Sequence, residues 1–184
     1  MALKADRNEL DVDISFFYNA GTAERGGVVS ITSVGSGAAM DQGVNLVKYK
    51  AAGAAMDQAA ALVSYKQGAA GVIPVGVLLN DVVNLDLTRQ HINWHKDEVQ
   101  KGGKVSILKK GYVVTNNITG TPTAGALAYL DDLTAGNLTV KANVDTTEYI
   151  SVGRWMSSLD EDGYAKVEIN LPAGVMNTDA GALE

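Results

Sequence analysis

Asp160-Glu161-Asp162-Gly163-Tyr164-Ala165-Lys166-Val167-Glu168-Ile169-Asn170-Leu171-Pro172 decides the fold class. Asp-Gly accepts the positive φ angles of a tight turn, so residues 160–163 read as a hairpin turn. Ala165, Val167, Ile169 and Leu171 then alternate with Lys166, Glu168 and Asn170. Successive side chains of a strand point to opposite faces, so this is a strand with one buried and one solvated face. Pro172 lacks the N–H needed to continue the ladder and ends it.

Upstream, the same signals recur about every ten residues. Ala126–Leu130, Leu138–Val140 and Tyr149–Val152 are short strands. Lys109-Lys110-Gly111 reads as a bend between Val105–Leu108 and Tyr112–Thr115, and Gly102-Gly103 as a turn before them. Val83, Leu85 and Leu87 alternate with polar residues. Val72–Leu79 is a buried-looking run, with Pro74 near its start where a missing N–H is tolerable. Short strands punctuated by turn residues indicate a β-barrel or sandwich, and nothing from 72 to 172 keeps a helical period.

The N-terminal third differs. Leu10-Asp11-Val12-Asp13-Ile14-Ser15-Phe16 alternates at period two, and Val28–Ile31 is a short β-branched run. Residues 33–71 are dense in Gly and Ala. They contain Gly-Ala-Ala-Met-Asp-Gln twice, at 37–42 and 53–58, sixteen positions apart. Each copy is followed by a similar ending, Leu46-Val47-Lys48-Tyr49-Lys50 and then Leu62-Val63-Ser64-Tyr65-Lys66. The pair reads as a tandem duplication of one unit, a loop or short helix followed by a strand. Two units are too few for a solenoid.

The chain has 184 residues, no Cys and a net charge of −6. No Cys means no disulfide, thiolate metal site or Cys nucleophile. The negative balance opposes a nucleic-acid partner. No run of about 18 apolar residues suggests a membrane span.

Catalytic chemistry is not evident. His91 and His95 stand four apart, but on a strand or loop pattern with no third ligand at a recognisable spacing. Asp160–Gly163 lacks the later ligands of a calcium loop. Gly35-Ser36-Gly37 lacks the frame of a dinucleotide loop. Asp131-Asp132 reads as a solvated pair in a turn. Trp94, with His91 and His95, is a candidate for a subunit interface, since aromatics are enriched there. The chain is therefore expected to be no enzyme and to need no cofactor.

The order of Val77-Leu78-Leu79-Asn80-Asp81-Val82-Val83, Asp86–Glu98, Gly102–Asn116, Gly153-Arg154 and Asp160-Glu161-Asp162-Gly163-Tyr164 resembles the head decoration, or capsid cement, proteins of tailed bacteriophages. The resemblance covers roughly residues 60–172. It implies a small β-barrel or tulip-like domain, a homotrimer on the exterior of the capsid, and a clamp on neighbouring copies of the major capsid protein that stabilises the expanded head. It implies a virion location after assembly in the host cytoplasm, and no catalytic residues.

The expected organisation follows. Residues 1–32 form an N-terminal arm and first strands, 33–71 a duplicated peripheral insertion, 72–172 a barrel core, and 173–184 a flexible tail. Leu10, Val12, Ile14 and Phe16 are the expected partner-binding arm, adding a strand to a neighbour's sheet. The alternative is a receptor- or glycan-binding β module of a phage fibre, for which 6% aromatics is a poor supply.

Overall fold

The computed structural model describes residues 3–19, 21–33, 62–69, 71–83, 98–100, 103–140, 148–149, 151–171 and 177–178. Among them the regular structure is all strand. In chain order the strands are β1 (Asn8–Asn19), β2 (Val28–Ser33), β3 (Leu62–Tyr65), β4 (Pro74–Leu78), β5 (Asp81–Val83), β6 (Glu98–Gln100) and β7 (Lys104–Thr115). Then follow β8 (Ile118–Thr119), β9 (Leu127–Leu130), β10 (Leu138–Thr139), β11 (Glu148–Tyr149), β12 (Ser151–Trp155), β13 (Ala165–Asn170) and β14 (Asn177–Thr178). The mainly β expectation holds.

One sheet takes ten of these strands in the order β1-β3-β2-β4-β7-β13-β12-β9-β10-β8. A further pairing of β1 with β7 curls its first part back on itself, so β1, β3, β2, β4 and β7 form a ring. The branch strand is β7. Its first half pairs with β4 (Val77↔Leu108, Leu78↔Ile107) and its second with β13 (Asn170↔Lys110 to Ala165↔Thr115). Along its other edge β1 runs antiparallel, from Asn8↔Tyr112 to Tyr18↔Lys104. Leu3 extends this ladder through a bridge to Thr115. The β5–β6 and β11–β14 pairs form two small separate sheets.

The β2-β4-β7 strip is buried on both faces. Val28, Val77 and Leu108 lie in register and enter the main core with Trp155, Val167 and Ile169. Val29, Leu78 and Ile107 enter a second, smaller core with Val63, Val82 and Val105. Two-sided burial explains why Val75–Leu79 reads as a continuous apolar run. By contrast β13 keeps the period-two pattern of its sequence, with Ala165, Val167 and Ile169 buried.

The Lys-Lys-Gly bend is a correction: β7 is one strand through Gly111. Gly111 adopts φ 142°, and a Cβ there would meet the Asn8 carbonyl oxygen at 2.0 Å. The glycine marks a close approach of β1's backbone instead of a break. The Asp160–Gly163 turn forms with Gly163 at φ 80°, at the end of the longer 156–164 connection between β12 and β13. The Asp160 carboxylate accepts from the Asp162 and Tyr164 N–H groups at 3.0 and 2.8 Å, an Asx-type closure.

The Asp131 part of the solvated pair is also corrected. Asp131 is buried, and its Oδ2 accepts from the Thr119 hydroxyl at 2.7 Å and the Thr134 N–H at 3.0 Å. This fixes the β9–β10 turn, which is stitched to the chain leaving β3. Gly68 N–H donates to Asp131 O (2.7 Å), Gln67 Nε2 to Leu133 O (2.6 Å) and Gly136 N–H to Lys66 O (3.0 Å).

Candidate functional site

The faces that the two cores leave uncovered offer surfaces with defined side chains. The cross-strand register supplies one. Leu127 on β9 stands opposite Arg154 on β12, Arg154 opposite Glu168 on β13, Glu168 opposite Tyr112 on β7, and Tyr112 opposite Asn8 on β1. This row crosses five strands. Leu127, Arg154, Glu168 and Asn8 are exposed and Tyr112 is half-buried. Leu127, Arg154, Glu168 and Tyr112 each flank a buried residue, such as Ala128, Trp155, Ile169 or Val113, so pleating turns that part of the row outward.

Neighbouring groups hold the row in place. Lys166 Nζ lies 3.7 Å from the centre of the Tyr112 ring, a cation–π contact, and 3.5 Å from the Asp6 carboxylate. Arg154 Nη1 donates to the Gly125 carbonyl at 3.1 Å. At the adjoining edge Lys4 pairs with Asp160 at 2.6 Å and lies over the Tyr164 ring at 4.3 Å. The hydrogen bond from Lys4 lowers the Asp160 carboxyl below its usual range, and the same bond raises the Lys4 ammonium. Both side chains are well exposed to solvent, so the pair positions the N-terminal segment more than it stabilises the fold.

The sequence-predicted residues fall differently. Leu10 is exposed (67%) within the register shift between Glu9 and Asp11. Val12 is partly buried and packs against the main core. Ile14 and Phe16 lie on the β1 backbone, and their side chains are outside the described residues, as are Trp94, His91, His95 and both Gly-Ala-Ala-Met-Asp-Gln copies. One edge of β1, expected to serve a neighbour, is here given to β7 of the same chain. Asn177 and Thr178, placed in the expected tail, pair with Tyr149 and Glu148. Trp155 is fully buried and offers no platform to a sugar.

Thr22, Ala23, Glu24, Asp81, Val82, Val83 and Glu98 line an open cleft. Among the described residues no group of three or more His, Asp or Glu could hold a metal ion, and no helix is long and apolar enough to cross a membrane.

A family model described as structural cement protein of phages (E217 gp24/Pam3 gp6) matches residues 18–170. The chain belongs to this family. A search of curated proteins found no match. Membership gives the cement protein a structural role in the phage particle, in association with the capsid. The matched span runs from the end of β1 to the end of β13, so it takes in the two-faced strip and most of the exposed row. The first ten residues of β1 lie outside it.

The row was missed in the sequence because register is not written there. Alternation at 165–171 marks Glu168 as outward, but nothing local says that Leu127, Arg154 and Tyr112 line up with it.

Proposed function

We propose that this cement protein binds the outer surface of the capsid and clamps neighbouring copies of the major capsid protein, stabilising the expanded head, and that it does so as a homotrimer. The observation that carries the reading is the exposed Leu127–Arg154–Glu168–Tyr112 row, set on a rigid sheet whose other face is core. An apolar residue beside alternating charges, on strands and not on a loop, suits repeated docking against an identical partner at every lattice position. Leu10 extends the contact along β1. Many modest contacts made together around a shell give retention that one contact cannot.

The test mixes purified protein with expanded, undecorated heads and measures co-sedimentation. Wild type is expected to bind at fixed stoichiometry, and the L127E/R154E variant to keep its melting temperature but lose at least roughly tenfold in affinity, the loss of about 1.4 kcal/mol. Absence of wild-type binding overturns the reading. Full binding by the folded variant moves the contact to another face.

A further inference from the structure

The duplicated unit bears on β3. Aligned at an offset of sixteen, residues 37–50 and 53–66 are identical at 10 of 14 positions. The second copy ends in β3, which sits between β2 and β1. Its slot asks for a small apolar side chain at Val63, fully buried in the smaller core, and for the Tyr65 ring, seated against Gly27 and Gly136 with its hydroxyl donating to the Glu24 carbonyl. The first copy has Val47 and Tyr49 at the same two places.

Three differences favour the second copy. Ser64 stands opposite the buried Ser30, where the first copy has Lys48. Gln67 donates to Leu133 O, where the first copy has Ala51. Gly68 donates to Asp131 O, and a Cβ there would meet Leu130 O at 2.7 Å, where the first copy has Ala52. The seam after β3, more than β3 itself, selects the occupant.

We propose that Leu46–Lys50 is a second occupant of the β3 slot, giving the chain two registers sixteen residues apart. The chain between β2 and the slot is 28 residues (34–61) in the register of the structure and 12 residues (34–45) in the other. Loop closure depends on the logarithm of length, so neither connection forbids its register. The exchange moves sixteen residues from the β2–β3 end of the ring to the β3–β4 end. One Gly-Ala-Ala-Met-Asp-Gln copy then lies on each side of the strand, where now both precede it.

Because the chain has no Cys, engineered pairs report register without background. Ser30 and Ser64 are Cα partners on antiparallel strands, a separation a disulfide can span. In the full chain, Ser30→Cys with Ser64→Cys reports the register of the structure, and Ser30→Cys with Lys48→Cys reports the other. Under mild oxidation the S30C/K48C chain is expected to form an intrachain disulfide in a minority of molecules. Adding Gln67→Ala should raise that fraction roughly twofold to tenfold, the effect of one hydrogen bond. A second variant, lacking residues 51–66, joins Lys50 directly to Gln67; it is expected to melt cooperatively and to cross-link S30C/K48C nearly completely. The proposal is overturned if S30C/K48C with Q67A gives no intrachain product while S30C/S64C does, if its product is only between chains, or if the deleted chain does not fold.

Discussion

The Tyr65 hydroxyl donates to the Glu24 carbonyl and accepts from the Gly27 N–H at 3.1 Å, which ties β3 to the turn before β2. Burial pushes this phenol well above its usual range. The sign follows from linkage. An acid whose folded pKa is raised contributes its full stability below the unfolded value, about 10 for a phenol, and loses it as pH rises beyond. Tyr65→Phe leaves the buried Gly27 N–H unpaired and is expected to cost about 1–3 kcal/mol at neutral pH. The gap between wild type and Y65F should narrow between roughly pH 9 and 11.5, where the phenol ionises only in the unfolded chain. Urea midpoints at both ends of that range check it; a gap that widens with pH counts against the hydroxyl's role.

At the scale of elements, the β1–β7 ladder depends on the bare backbone at Gly111. Gly111→Ala places a Cβ against the Asn8 carbonyl and in a φ that side chains rarely adopt. The expected loss is more than about 2 kcal/mol, read from denaturant midpoints. In a chain trimmed of residues 1–8 the clash partner is gone, so the same substitution should cost less there. An equal cost in both backgrounds would place the strain in Gly111 alone. Elements of this kind were legible in part. The alternation at Ala165–Leu171 located β13, because that strand has one wet face, and the alternation at Leu10–Phe16 located β1, although Leu10 is itself exposed. Gly111 misled, since a glycine that admits a neighbouring backbone and one that breaks a strand are the same letter. Asp131 misled because its partners, Thr119 on β8 and Thr134 in the turn, are brought together only by the fold. The exposed row was illegible for a different reason: it is a property of five strands in register, and each strand carries only its own alternation.

For the molecule as a whole, the β2-β4-β7 strip serves two cores at once, so neither core can melt and leave the other intact. Trp155→Ala in the main core should cost about 3–5 kcal/mol and Val63→Ala in the smaller core somewhat less. Both are expected to shift a single transition, with calorimetric and van't Hoff enthalpies equal. Two separated transitions in either variant would show that the β1-β3-β2-β4-β7 ring and the rest of the sheet unfold independently.

The ladder from Leu3 to Tyr18 along β7 has a mechanical meaning as well. Tension on the N-terminal segment along the strand axis loads its interstrand bonds side by side, in shear, so they must fail together instead of unzipping one by one. Beyond the ladder, β7 is itself gripped by β4 and β13, so the pull passes into both halves of the sheet. A pull on this segment is therefore shared across the whole fabric of the sheet.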